Sequence, residues 1–304
     1  MTELRAGVVG AGVFGGYHAH KYAALSGVTL VGVLDADPER GGVLADRLGV
    51  RAYTDPDAFL DGLDVVTVAC PAGAHAQIAA KALALGVHAY VEKPLALSVA
   101  DAQGLINLAA AKGLVLTCGH QERAVFKAMA LLGAAGTPVR LEAVRRSPYT
   151  GRATDVSCVL DIMIHDLDLA LALNPTEPVK VSAKGRVQYG PHFDEVSTEI
   201  VFADGMVAAF NACRTDEGRT RTMGVDYPFG PLRIDFMTRA FENGTGLPLN
   251  AGFADTPEGK DPLGASVAAF LAAVRGEAER PLITGAEATR ALALALRVEE
   301  AASR

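Results

Sequence analysis

The sequence predicts an α/β protein in two parts: a doubly wound parallel sheet at the N-terminus and an α+β domain around one mixed or antiparallel sheet behind it. Three observations predict this. The chain has 304 residues, about two ordinary domains' worth. Over the first 118 or so residues, continuously apolar runs alternate with Ala-rich helical patterns, the mark of strands buried on both faces of a parallel sheet. After His120 the texture changes to strict polar/apolar alternation, which marks strands with one wet face.

In order, strands are expected at 6–9, 28–34, 65–69, 87–91 and 114–117, with helices near 14–25, 38–48, 74–85 and 98–112. In the second part, Val196, Thr198, Ile200 and Phe202 face one way and Glu195, Ser197, Glu199 and Val201 the other. Asp204-Gly205 then reads as a two-residue hairpin turn into 206–210. Further short strands are expected at 138–147, 178–189, 219–227 and 231–236. A helix is expected from a cap near Asp155 to a stop at Asn174-Pro175, and two more near 262–275 and 285–301. At least one of the last two is expected to pack back on the first domain. The uncovered sheet face is an obvious surface for self-association.

Composition narrows the function. Lys and Arg number 28 against 35 Asp and Glu, a net charge of −7 without basic blocks, which argues against a nucleic-acid partner. The four cysteines, Cys70, Cys118, Cys158 and Cys213, lie too far apart for a zinc site or a disulfide framework and read as reduced thiols. The apolar stretch 6–17 is broken by glycines and preceded by Glu3, unlike a secretion signal, and no run is long enough for a membrane span. A cytoplasmic, membrane-free protein is expected. The scattered histidines show no metal-ligand spacing, so no metal is expected.

The motif Gly10-Ala11-Gly12-Val13-Phe14-Gly15 follows an apolar strand and opens a helical stretch. Its glycines permit a tight turn, close approach to a pyrophosphate and close helix-to-strand packing. Asp35 lies about 20 residues beyond it at the end of the second strand, where a carboxylate accepts hydrogen bonds from an adenosine ribose. Its charge favours NAD over NADP, and the nearby Arg40 relaxes that discrimination if its guanidinium reaches the same ribose.

Lys93, in Glu92-Lys93-Pro94, follows the strand 87–91 and should emerge at a carboxyl end of the sheet, where ligands of such sheets bind. An ammonium there can stabilise oxygen charge as a hydroxyl becomes a carbonyl. On the helix after Asp155, Leu160, Ile164, Leu167 and Leu171 make an apolar stripe, and Asp161, His165 and Asp168 a polar one. Asp161 and His165 are four residues apart, so the carboxylate can orient an imidazole that acts as general base. Taken alone, this helix fits better a structural flank with a satisfied histidine and solvated acids.

These segments, with Tyr17-His18, Asp35-Ala36-Asp37, Cys70-Pro71 followed by His75, Gly119-His120 and Asp161-x-x-x-His165-Asp166, together resemble the glucose-fructose oxidoreductase / inositol dehydrogenase / MocA (Gfo/Idh/MocA) family over essentially the whole chain. The resemblance implies an NAD(P)-binding Rossmann domain over 1–119 and, over 120–304, a substrate-binding and oligomerisation α+β domain with a large, open-faced, mostly antiparallel sheet. It implies oxidation of a sugar or polyol hydroxyl, and homodimers or homotetramers. Residue by residue, it implies that Lys93, Asp161 and His165 are catalytic and also touch substrate. The cofactor would lie on Gly10, Gly12, Val13, Phe14, Gly15, Asp35, Arg40, Cys70, Pro71, His75, Glu92, Lys93 and Gln121.

The stretches 119–123, 146–152 and 159–168 are similar to a narrower group, the UDP-N-acetylglucosamine 3-dehydrogenases of bacterial lipid A assembly. That group usually follows Glu-Arg with Phe-Asn-Pro, whereas Arg123 is followed here by Ala124-Val125-Phe126-Lys127. Arg140, Arg145, Arg146 and Arg152 concentrate positive charge suited to a diphosphate, and Arg123 and Arg152 are the best candidates for substrate contact. Two alternatives stay open: a dehydrogenase of a free sugar or inositol, and a non-catalytic dinucleotide-binding regulator on the same scaffold.

Overall fold

The computed structural model describes residues 3–151 and 153–304. The chain forms two compact units, one of Met1–Gln121 with Leu263–Thr289, the other of Glu122–Pro262 with Arg290–Arg304.

The first unit contains β1 (Leu4–Val9), α1 (Val13–Ala24), β2 (Val28–Leu34), α2 (Pro38–Leu48), β3 (Arg51–Tyr53), α3 (Pro56–Leu60), β4 (Val65–Val68), α4 (His75–Ala84), β5 (His88–Val91), α5 (Val99–Lys112) and β6 (Leu116–Cys118). Its six strands are all parallel in the order β3-β2-β1-β4-β5-β6, the arrangement of a Rossmann sheet. β4 is buried along its whole length, as its uninterrupted apolar run requires. Helix boundaries follow local chemistry. Asp37 caps α2, accepting from the N–H groups of Glu39 and Arg40 at 3.0 and 3.2 Å, and Ser98 caps α5. Both helices end at a left-handed glycine, Gly49 and Gly113. The core includes Val8, Tyr22, Val33 and Val65, closed by Val267 and Phe270 from a later helix.

The second unit contains α6 (Glu122–Ala128), β7 (Arg140–Arg146), α7 (Ile164–Leu173), β8 (Pro178–Arg186), β9 (Glu195–Phe202), β10 (Val207–Cys213), β11 (Thr220–Tyr227), β12 (Gly230–Asp235), β13 (Phe241–Asn243) and α8 (Pro257–Lys260), and the chain closes with α9 (Pro262–Val274) and α10 (Gly285–Ala302). The seven strands run β13-β12-β11-β7-β10-β9-β8, and every pair is antiparallel except β7 with β10. On β9, Val196, Thr198, Ile200 and Phe202 are buried and Ser197 and Glu199 exposed, as the alternation predicts.

Several local expectations need correction. Phe202 and Met206 pair across a three-residue loop, Ala203 to Gly205, with Gly205 left-handed at φ 92°; the turn is a residue longer than the Asp-Gly pair suggests. The helix expected from Asp155 is capped two residues later. Ser157 Oγ accepts from Val159 and Leu160 N–H at 3.1 and 3.3 Å, while Asp155 is exposed. Its first turn, Val159–Met163, is a widened π turn closed by Ile164 N–H on Val159 carbonyl, so Asp161 and His165 lie across a break in regular 3.6-residue spacing. Among the described residues no helix is long and apolar enough to cross a membrane.

Candidate active site

In the first unit the cofactor loop is built from backbone. Gly10 sits at φ 98°, and a Cβ there would meet the Ala69 carbonyl oxygen at 2.6 Å; a Cβ on Gly15 would meet that of Gly10 at 1.7 Å. No larger residue fits either position. Gly12, at the cap of α1, has open space around it, and no side chain caps the helix, so its first N–H groups are available to an anion. Val13 is 46% exposed beside them, and Phe14 stacks edge-on to Tyr17.

Asp35 is buried and ties this loop to the next. Its Oδ2 accepts from Ala11 N–H at 2.6 Å and Arg40 Nε at 3.0 Å; its Oδ1 accepts from Asp37 N–H at 2.8 Å and Arg40 Nη2 at 2.7 Å. Burial pushes its carboxyl up, but these hydrogen bonds more than offset that and hold it below the usual carboxylate range.

His75, at the head of α4, holds two loops together: Nδ1 lies 2.7 Å from the Pro94 carbonyl oxygen and Nε2 2.8 Å from that of Cys70. Burial pushes the Cys70 thiol up to about 11, which leaves it unreactive at neutral pH. Pro71 is exposed next to it. Lys93 is half-buried just past the end of β5, its peptide bond to Pro94 cis. Beneath it Glu92 Oε1 lies 2.9 Å from Nε2 of the wholly buried His18, and Glu92 Oε2 accepts from the Lys93 N–H at 3.3 Å. The chain continues from His18 to Thr67 and Tyr22. A Cβ on Gly119 would stand 2.6 Å from Glu92 Oε2, so that carboxylate would have to move off its present position. Gln121 ends the first of this unit's two segments.

In the second unit the candidate chemistry gathers around the head of α7. Asp161 is half-buried in the π turn, while His165, Asp166 and Asp168 are buried, so the acids on this flank are not the solvated ones of the structural alternative. Asp168 receives the Arg123 fork, with both contacts at 2.8 Å, and Asp166 the Arg145 fork at 3.0 and 2.7 Å. Arg123, the residue expected to reach substrate, is itself buried. Arg140 and Arg146 also engage carboxylates, Glu142 for the first, Glu195 and Asp216 for the second. Arg152 lies outside the described residues.

Sequence reasoning assigned no role to the carboxylate now found on the candidate base. Glu122 Oε2 lies 2.7 Å from His165 Nδ1, and its Oε1 lies 3.3 Å from Arg145 Nη1 and 2.7 Å from Arg221 Nη2. Burial opposes its ionisation, yet the adjacent His165, Arg221 and Arg145 hold it well below the usual carboxylate range. The four residues come from α6, β7, α7 and β11, so no local spacing betrays the cluster. Among the described residues no group of three or more His, Cys, Asp or Glu could hold a metal ion.

Comparison with known proteins decides the kinship. Residues 4–120 match the model of an oxidoreductase family with an NAD-binding Rossmann fold, and residues 126–227 match the GFO/IDH/MocA C-terminal domain. UDP-N-acetylglucosamine 3-dehydrogenase of Acidithiobacillus ferrooxidans is 36% identical, the match covering 99% of this chain and 98% of that protein. The chain belongs to the Gfo/Idh/MocA family. The solved structure of that 3-dehydrogenase superposes with a TM-score of 0.90 at 33% identity, over 99% of this chain and 98% of the other. GenD2 from gentamicin A biosynthesis, solved in complex with NAD, superposes at 0.83 with 26% identity, over 100% and 95%. The scyllo-inositol 2-dehydrogenase (NAD(+)) of Bacillus subtilis is 29% identical over 70% of this chain and 68% of that protein.

As a Gfo/Idh/MocA member the chain is an NAD-dependent oxidoreductase, and its own residues suit that cofactor. The space over Gly12 that a Cβ would fill, the uncapped first turn of α1 and the carboxylate of Asp35 are the three features a dinucleotide needs: room for a pyrophosphate, donors for it, and a ribose acceptor.

Proposed function

We propose that this oxidoreductase removes hydride from a secondary hydroxyl of a sugar, at C3 of a UDP-linked N-acetylhexosamine, to give the 3-keto sugar. The observation that carries this reading is the 36% identity to a UDP-N-acetylglucosamine 3-dehydrogenase along practically the full length of both chains. The arginines of β7 lend it no weight, since each engages a carboxylate of this chain.

The bound nicotinamide supplies the hydride acceptor; the chain's residues manage the proton and the oxygen. His165 takes the hydroxyl proton as the C–H bond breaks. The Lys93 ammonium, at the carboxyl end of β5, donates to the oxygen and stabilises it as the carbonyl forms. Asp161, at the accessible head of the same helix, favours the imidazolium that results. Gly12, Val13 and the first turn of α1 hold the pyrophosphate, and Asp35 the ribose. The same reading pairs copies of the chain through the outer face of the seven-stranded sheet, and light scattering reads the mass that tests it.

NADH formation across a panel of UDP-sugars, free sugars and inositols tests the proposal. Turnover with UDP-N-acetylglucosamine and competitive inhibition by UDP are expected. Turnover confined to free sugars or inositols, without UDP inhibition, transfers the assignment to the free-polyol reading; NAD binding with no turnover at all makes the protein a sensor. Lys93→Ala and His165→Ala should each lower kcat by about 100-fold or more, and near-normal turnover by His165→Ala removes it as the base.

A further inference from the structure

We infer that Glu122 is the positioning residue of the candidate base: it fixes His165 in the tautomer that carries its proton on Nδ1 and accepts the substrate proton at Nε2. The inference rests on the reading of His165 as the base and adds a partner that neither the motif nor the family models name.

Arg145 and Arg221 are directly opposite one another on the antiparallel pair β7·β11. Two like charges so placed repel, and both are largely withdrawn from water, with side-chain exposures of 12% and 28%. The Glu122 carboxylate reaches both, and Asp166 takes the remaining fork of Arg145. Between two guanidiniums Glu122 stays ionised, and an ionised carboxylate can only accept.

Its second oxygen is 2.7 Å from His165 Nδ1. The two atoms are in ion-pair contact without the alignment of a full hydrogen bond; a negatively charged, acceptor-only oxygen that close still favours a protonated nitrogen over a lone pair. In neutral imidazole this puts the lone pair on Nε2. The arginines thus do for Glu122 what Glu122 does for the histidine: each favours one protonation state of the next group. Because its charge is shared with two cations, Glu122 orients the ring without being available to take its proton.

The same logic singles out Glu122→Gln. Arginine only donates, so the amide oxygen must turn to Arg145 and Arg221, and the amide NH2 then faces Nδ1. The ring is driven to the opposite tautomer with Nε2 protonated. An almost isosteric change converts the base into a donor.

The test compares wild type, Glu122→Gln and His165→Ala. Histidine-selective nitrogen-15 NMR, with the His165 signals assigned by their loss in His165→Ala, should show Nδ1–H in the wild type and Nε2–H in Glu122→Gln. The Glu122→Gln kcat should fall about 100-fold or more, as expected for a wrong tautomer at a catalytic histidine, while its NAD dissociation constant stays within about twofold. A wild-type ring protonated on Nε2 overturns the inference, and needs no variant to fold. So does a Glu122→Gln enzyme that keeps kcat within about threefold while His165→Ala is dead. If His165→Ala itself turns over, the reading of the base fails, and the tautomer measurement still judges Glu122 by itself.

Discussion

On the proposed reading, the two units hold their candidate groups in opposite ways. The first aims main chain: glycines at the end of β1 bring α1 so close that its N-terminus becomes a binding surface, and one carboxylate, Asp35, ties the loop down. The second aims charge, holding His165 through Glu122, Arg145 and Arg221 drawn from separate elements, with Asp166 and Asp168 buried in further ion pairs. A site made of main chain tolerates almost no added atom. A site made of charges tolerates shape changes better than a lost partner.

The sharpest way to break the first is Gly15→Ala. With the new methyl 1.7 Å from the Gly10 carbonyl oxygen, α1 must leave the strand end. We expect a loss above about 4 kcal/mol in denaturant titration and no measurable NAD binding. Gly12→Ala supplies the contrast, because its methyl enters open space. Its melting temperature should match wild type while NAD affinity falls, since the added atom occupies the room a pyrophosphate needs. Equal stability of the two variants would deny the main-chain account.

For the second unit the matching perturbation is Asp194→Asn. Asp194 is 1% exposed and accepts from Arg214 Nε at 2.8 Å and from the Tyr189 and Gln188 N–H groups at 2.6 and 2.7 Å. Burial pushes its carboxyl up, but these donors hold it below the usual range. Neutralising it leaves Arg214 buried without its counter-charge, a loss of about 3 kcal/mol. The sign of the pH dependence follows. A depressed folded-state pKa contributes stability that is fully present above the unfolded value of about 4 and fades as pH falls through the lowered one. Urea midpoints of wild type and Asp194→Asn should therefore converge on acidification below about pH 4. A constant gap would show that the variant acts through packing.

This contrast explains how much could be read in advance. The parallel strands, the glycine loop and Asp35 were legible because their determinants are neighbours in sequence: an apolar run, a turn, an acid one strand later. The π turn was not, since it arises where Ser157, in place of Asp155, takes up the cap. β3 and β13, three residues each, are too short to show a period. Glu122 lies 23 residues from Arg145 and 99 from Arg221. Only the folded sheet brings them together, so no spacing rule reaches that cluster.

The mildest perturbation probes a place where the first unit also relies on charge. All four acceptor positions of Asp35 are in use, two by the backbone of Ala11 and Asp37 and two by Arg40. If Asp35 holds the ribose as proposed, a ribose hydroxyl must displace one donor. The backbone donors are fixed by their loops, whereas the Arg40 side chain is 52% exposed and can swing away. On the proposed reading Arg40 therefore competes with NAD for Asp35, and a displaced guanidinium is expected to suit a 2′-phosphate. Arg40→Ala should leave NAD binding unchanged or up to a few-fold tighter and weaken NADP, so that the ratio of kcat/KM for NAD over NADP rises about tenfold, equivalent to roughly 1.4 kcal/mol. A ratio that falls instead would mean that Arg40 orders the ribose of NAD, and that Asp35 binds it only with the guanidinium in place.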